Sequence, residues 1–149
     1  MIGKNEMLYI AYGPELNQEF MRRICPTARY VCKSELKDYQ LRFRGEFRKA
    51  KANAERVRGC AMPVIIWRIT PLDEGFLDAL HGYPFFSTKR YETLEVLGRK
   101  ACAVIYVMNR RDQLGHPNTE YYTTMLDGYL AAGFDLNLLQ RASAEVLDG

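Results

Sequence analysis

Three short stretches of the chain hold residue types that can bind polar groups or move protons. Leu77-Asp78-Ala79-Leu80-His81-Gly82-Tyr83-Pro84 places a histidine next to a glycine. An imidazole with an unperturbed pKa near 6.5 takes up and releases protons at neutral pH. A histidine in the last turn of a helix also complements the helix dipole, and spacing leaves both roles open for His81. The second stretch, Tyr9-Ile10-Ala11-Tyr12-Gly13-Pro14-Glu15-Leu16, reads as strand, turn and helix start. A glycine at such a turn lets backbone N–H groups point at an anion beside the helix N-terminus. The third runs from Leu114-Gly115-His116-Pro117-Asn118 to Glu120-Tyr121-Tyr122. Its paired tyrosines either pack in the core or present a hydroxyl to a ligand.

The elements that must position these groups follow from hydrophobic periodicity. Leu8–Tyr12 is a buried strand. Leu16, Phe20 and Ile24 predict a helix from Pro14 to about Cys25, stopped by Pro26. Tyr39, Leu41 and Phe43 alternate with polar residues in a half-buried strand. Residues 45–60 are basic and poor in apolar periodicity, which predicts a long loop with at most one short strand. Pro63–Ile69 is a strong strand signal. Thr70 and Pro71 then open a helix with a stripe of Leu72, Phe76 and Leu80, ended by Gly82. Two strands, roughly Arg90–Leu97 and Ala101–Met108, turn at Gly98, the second central because it is apolar on both faces. Asn118 or Thr119 caps a helix that turns Tyr122, Met125, Leu126 and Tyr129 inward and ends at Gly133. A short helix is expected after Phe134. Strands outnumber helices without strict alternation. This predicts an α+β fold, a strongly curved sheet or small mixed β-barrel with packed helices, in one domain spanning 1–149.

Composition bounds the function. The 149 residues carry 21 Lys and Arg against 18 Asp and Glu, and 48% are hydrophobic. That length buries a real core. The net charge of +3 hides an asymmetry, because residues 1–60 hold 13 basic and 7 acidic side chains. Seven Lys and Arg with two Glu fall between Arg42 and Arg58, and this segment reads as a lure for a small anion if it faces a pocket. It lacks the interleaved aromatics of a nucleic-acid platform, so no nucleic-acid partner is expected. No apolar run approaches a membrane span, and Met1–Glu6 lacks the apolar core of a secretory signal, which predicts a cytoplasmic protein. Cys25, Cys32, Cys60 and Cys102 form no Cys-x-x-Cys pair, and only two histidines accompany them. Reduced thiols, mostly buried, are expected, with no metal and no cofactor.

Taken together the motifs resemble those of the γ-glutamylcyclotransferase-like (AIG2-like) family of small bacterial proteins. Members typically run from an apolar strand into Tyr-Gly-Ser-Asn-Leu or Met, here Tyr12-Gly13-Pro14-Glu15-Leu16. An Arg-Cys-Pro-x-Ala segment follows, here Arg23-Ile24-Cys25-Pro26-Thr27-Ala28. The likeness continues through Leu36–Tyr39, Leu41–Gly45, Pro63–Trp67, Ile69–Pro71 and Leu77-Asp78. Near the end it takes in Val104–Asn109, Pro117, Tyr121-Tyr122, Gly128-Tyr129 and Gly133–Asp135. It covers about residues 7–142 and implies a small mixed barrel with helices around it and a cavity at one mouth.

The resemblance also implies a chemistry. Active members cyclise a γ-glutamyl group, whose α-amine attacks its own γ-carbonyl to release 5-oxoproline and an amine. A glutamate in a Leu-Asp-x-x-Glu-Gly-Tyr-Pro context moves the proton, a role worth roughly 10²–10⁴-fold. Here His81 stands at that position. Pro14-Glu15 replaces Ser-Asn in the turn, deleting one backbone donor and adding a negative charge where the family binds a carboxylate. The segment after Pro84 also departs and is about two residues longer. The expectation is a catalytically silent protein that binds a polar anionic small molecule such as a nucleotide-like or amino-acid-conjugate ligand, with sequestration as one use for such binding. The expected ligand set is Tyr12, Gly13, Pro14, Glu15, Leu16, Tyr83, Tyr121, Arg44 and Asn53, with His81 as hydrogen-bond partner or cation. The alternative is an active γ-glutamyl or γ-glutamylamine cyclotransferase with His81 as acid/base.

Overall fold

The computed structural model describes residues 5–145; the start of the stretch read above for a signal lies outside them. The elements are β1 (Met7–Ala11), a turn of 3-10 helix at Pro14–Leu16, α1 (Gln18–Ile24), β2 (Arg29–Arg44), β3 (Lys51–Ile69), α2 (Pro71–His81), β4 (Ser87–Val96), β5 (Arg99–Met108), α3 (Thr119–Ala132) and α4 (Leu136–Ala144). The strands form one sheet in the order β2-β3-β1-β5-β4. β1 lies at its centre, antiparallel to β3 from Met7↔Ile69 to Ala11↔Ile65 and parallel to β5 at Tyr9↔Val104.

The fold is α+β, as the element pattern predicts, but the sheet does not close into a barrel. Its outer strands β2 and β4 approach through side chains instead. The Tyr39 hydroxyl donates to Glu92 at 3.0 Å, and the Ser34 hydroxyl donates to the Glu95 carbonyl at 2.5 Å. The core takes in Tyr9, Ile10, Ile66, Trp67, Val104 and Tyr106, and because neighbours along a strand point to opposite faces, both faces of the central strands are covered. β5 is buried from Ala103 to Val107, so its two-sided apolar pattern does mark an interior strand.

Residues 45–60 correct the sequence reading. The end of β2 and the start of β3 form a long hairpin, paired from Tyr39↔Arg56 to Arg44↔Lys51. Ala52, Asn53, Ala54 and Glu55 are all buried there. Small alanines and an internal ion pair satisfy that interior without large apolar side chains, so the strand carries no period-2 hydrophobic signal. The N-terminal helix also breaks into two pieces. Asn17 has an extended backbone and accepts from the Phe20 N–H at 3.0 Å, capping α1 separately from the Pro14 turn.

In α2 the predicted stripe points the wrong way. Leu72, Phe76 and Leu80 are 59%, 45% and 39% exposed, while Asp73 and Leu77 are buried. The helix start decides this. Thr70 and Asp73 form a reciprocal capping box, and Asp73 also accepts from the Thr27 hydroxyl at 2.7 Å. These bonds hold the Asp73 face inward. Gly82 ends α2 in the left-handed region with φ 66°, a conformation that suits glycine. Of the cysteines only Cys25 is buried; Cys32 and Cys60 are half-buried, Cys102 is exposed, and all four are free thiols.

α3 is capped by Asn118 and buries Met125 and Tyr129. Gly128 is where it meets the Pro14 turn. A Cβ there would lie 3.0 Å from the Asn17 nitrogen and 3.1 Å from Leu16 atoms. The backbone on the other side has no flexible side chain to move. Gly128→Ala is therefore expected to cost about 1–3 kcal/mol in denaturant unfolding and to displace the turn.

Candidate functional site

A cavity of about 840 Å³ opens between the Pro14 turn, α1, the C-terminus of α2, the N-terminus of α3 and the tip of the β2–β3 hairpin. One side is apolar, with Phe20, Ile24, Leu80 and Phe86. Another carries Arg44, Lys49 and Lys51.

Glu15 is at the centre of the site and is 1% exposed. Its Oε2 lies 2.8 Å from His81 Nε2 and accepts from the Tyr9 hydroxyl at 2.5 Å. The Trp67 indole N–H donates to the Glu15 carbonyl at 3.3 Å, fastening the turn to β3. Burial pushes the Glu15 carboxyl upward, but the His81 charge and the hydrogen bonds from His81 and Tyr9 outweigh it and leave the carboxyl below its ordinary value. A carboxylate facing Nε2 assigns a proton to that nitrogen. Burial first, then the neighbouring Glu15 charge, push the Tyr9 hydroxyl well up, so it stays a donor.

His81 is held from behind as well. Its ring stacks on Tyr106 at 4.5 Å with 8° between planes. The Tyr106 hydroxyl donates to Asp78 at 2.5 Å, and Lys89 ties Asp78 at 3.0 Å to Glu74 at 2.6 Å. A Tyr9→Phe variant removes one of the two donors to Glu15 Oε2. Its expected result is a raised Glu15 pKa, read by carboxyl NMR titration, with a stability loss of about 1–3 kcal/mol at neutral pH.

Six of the sequence-predicted residues line the cavity: Tyr12, Pro14, Glu15, Arg44, His81 and Tyr121. Gly13, Leu16, Asn53 and Tyr83 do not. Gly13 lies buried beside the Glu15 carboxylate and the Tyr121 hydroxyl. Leu16 belongs to the core. Asn53 is a lock between strands: it donates to Glu55 at 2.9 Å and accepts from the Met108 N–H at 2.9 Å. Tyr83 lies outside, with the Lys89 ammonium 4.2 Å from its ring centre. Tyr121 accepts from the Ala52 N–H at 2.9 Å, so its hydroxyl faces the site while its ring packs on Phe43.

Arg44 reaches the cavity, yet its guanidinium is committed elsewhere. It donates to Glu55 at 2.6 and 3.0 Å and to the Asp112 carbonyl at 2.9 Å. Arg56 is likewise paired with Glu92 at 2.7 Å. Part of the basic segment is therefore already paired with acids of the fold. Sequence reasoning missed Phe20 and Phe86, and it placed Lys49 and Lys51 only within the basic segment 42–58. Phe20 was indistinguishable from core, and the lysines fall in the segment read as a loop.

No protein-family model matches the chain, and no curated protein sequence does. Among solved structures, one described as a gamma-glutamyl cyclotransferase superposes with a TM-score of 0.81 at 20% identity, covering 93% of this chain and 87% of that one. The chain has the γ-glutamylcyclotransferase-like fold. An uncharacterized protein from Homo sapiens matches with a TM-score of 0.81 at 19% identity, over 95% of this chain and 88% of the other. An AIG2-like protein from Mus musculus gives 0.58 at 16% identity, over 70% and 78%. At these identities the likeness concerns the fold. On this γ-glutamylcyclotransferase-like frame, the carboxylate in the cavity comes from the Pro14 turn, and α2 supplies an imidazole opposite it. Among the described residues no helix is long and apolar enough to cross a membrane, and no cluster of three His, Cys, Asp or Glu could hold a metal ion.

Proposed function

We propose that this protein binds a polar anionic small molecule in the cavity, of the nucleotide-like or amino-acid-conjugate kind, and is silent towards γ-glutamyl cyclisation. The observation that carries this reading is the buried Glu15–His81 pair. Cyclisation needs a base to take a proton from an ammonium group. Glu15 is a weak base, because its pKa is pulled down and its Oε2 already accepts two hydrogen bonds. Nε2 of His81 faces that carboxylate and has no lone pair to offer. Pro14 removes a backbone donor from the turn.

Arg23, Lys49 and Lys51 are exposed on the cavity lining. They are the groups available to an anion, in place of Arg44. Sequestration is one use for such a site. Native mass spectrometry of the protein purified directly from its expression host tests binding. The expected result is an anionic adduct that is lost on denaturation and weakened by Lys49→Glu with Lys51→Glu. An adduct unaffected by the double charge reversal contradicts an anion site on this rim.

One observation favours a second reading. No hydrogen bond to His81 Nδ1 is found among the described residues, and a carboxylate that orients one imidazole nitrogen leaves the other as a base. That arrangement supports a γ-glutamyl or γ-glutamylamine cyclotransferase acting through Nδ1.

A further inference from the structure

We infer that the ligand of this cavity has two unlike ends: an apolar body the size of an aromatic ring, seated against Phe20, Ile24, Leu80 and Phe86, and a carboxylate or phosphate held by Lys49 and Lys51. The inference rests on the cavity being an anion-binding site, and it names the rest of the molecule.

Phe20 and Ile24 are one turn apart on α1, so their side chains share a face. Leu80 comes from the last turn of α2, and Phe86 from the segment that leads into β4. All four line the cavity and none is buried; Leu80 and Phe86 are 39% and 48% exposed. Single exposed apolar residues are ordinary on a protein surface. Four of them from three segments around one concavity form a patch, and such patches mark binding sites.

Phe86 is not free to fold away. Its N–H donates to the Gly82 carbonyl at 2.7 Å, and its carbonyl accepts from the Asn109 N–H at 2.9 Å. A Cβ on Gly82 would lie 2.8 Å from the Phe86 Cβ, so the glycine that ends α2 also lets Phe86 lie against it. α1 is fixed in turn by the Asn17 side-chain amide, which donates to the Thr124 carbonyl at 3.1 Å, and by the buried Met21. The apolar wall is therefore built into the fold, and an apolar group laid on it takes that surface out of water. The neighbouring Phe85 is 93% exposed and does not line the cavity, which makes it a control.

Charge places the other end. Arg44 is taken by Glu55, Glu15 by His81 and Tyr9, and Asp112 lies 3.7 Å from Arg110. The lining groups without an ion pair among the described residues are Arg23, Lys49 and Lys51 against Glu46 and Glu120. Three cations against two carboxylates leave a positive balance, and Lys49 and Lys51 sit together at the hairpin tip. A small anion without an apolar part leaves the wall exposed, and an uncharged ring leaves the lysines unmatched. The cavity, at about 840 Å³, has room for both parts.

The test uses the full chain and probes that share one part at a time: phenyl phosphate, methyl phosphate and benzyl alcohol, with phenylacetate and acetate repeating the comparison for a carboxylate. Kd is read by NMR titration. Phenyl phosphate is expected to bind about tenfold more tightly than methyl phosphate, from the apolar area it covers, and more tightly than benzyl alcohol. Phe86→Ala and Leu80→Ala, both at exposed positions, are expected to remove most of the preference for the ring, and Phe85→Ala to leave it unchanged. Lys49→Glu with Lys51→Glu weakens phenyl phosphate and leaves benzyl alcohol as it was. The tighter of phenyl phosphate and phenylacetate identifies the anion. Equal affinity for methyl and phenyl phosphate, or equal losses in Phe85→Ala and Phe86→Ala, overturns the apolar end while the cavity remains an anion site. Benzyl alcohol bound as tightly as phenyl phosphate overturns the anionic end and the anion-binding function with it. A folded wild type that binds none of the probes overturns both.

Discussion

His81→Ala is expected to lower unfolding stability by about 3–5 kcal/mol at neutral pH, because it strands the Glu15 carboxylate in the interior. Glu15 then keeps one donor, Tyr9, for two buried oxygens. The pH dependence distinguishes this cause from simple loss of packing. In the wild type the folded-state pKa of Glu15 is depressed. Its contribution is therefore fully present above the unfolded carboxyl value, about 4.3, and disappears as pH falls through the folded value. Without His81, burial becomes the dominant influence and raises the carboxyl pKa. The variant is then expected to gain stability relative to the wild type on acidification, as Glu15 takes up a proton. Denaturant unfolding at pH 7 and pH 4 reads the crossover. A His81→Ala penalty that is the same at both values contradicts the ion-pair account.

The second large effect is at Arg44. Glu55 is 3% exposed, and Arg44 grips both of its oxygens while Asn53 adds a third bond. The Glu55 carboxyl accordingly lies below its ordinary value, burial notwithstanding. Arg42 and Arg111 are more distant, at 3.9 and 3.8 Å. Arg44→Ala is expected to cost about 3–5 kcal/mol by leaving that carboxylate without its main partner. Arg58→Ala, at an exposed position of the same segment, is expected to change stability little. Thermal and denaturant melts of the two variants check the contrast. Equal effects would mean that the basic segment acts as a diffuse charge and not through one internal pair.

Most of the elements were legible in the sequence because their signals are local. The Thr70 cap, the Gly82 and Gly133 stops and the apolar run of β5 need no knowledge of distant residues. What was not legible depends on pairing across the sheet. The strand start at Lys51–Glu55 looks like loop because its interior is built from alanines, an asparagine and a glutamate, and Glu55 makes sense only beside Arg44 on the neighbouring strand. For the same reason Arg44 reads as an anion binder when its partner is unseen. The α2 stripe fails because a buried aspartate, bonded to Thr27 and Thr70, sets the rotation of the helix against its hydrophobic pattern.

At the site the residues were visible but their relation was not. Glu15 and His81 are each conspicuous as departures from a familiar pattern. Taken singly, Glu15 is a charge that repels a carboxylate, and His81 is a replacement base. The fold places them 2.8 Å apart, and each changes the meaning of the other. The imidazole holds the carboxylate ionised, and the carboxylate fixes the imidazole. The other carboxylate oxygen of Glu15, Oε1, is buried and makes no hydrogen bond among the described residues.

The most direct measurement is release of 5-oxoproline from γ-glutamyl amines and γ-glutamyl dipeptides by the purified wild type. A cavity organised around a committed Glu15–His81 pair predicts no release above the uncatalysed rate. It also predicts that His81→Glu combined with Pro14→Ser and Glu15→Asn introduces turnover. Robust wild-type turnover that is abolished by His81→Ala would contradict the silent reading and establish His81 as the base.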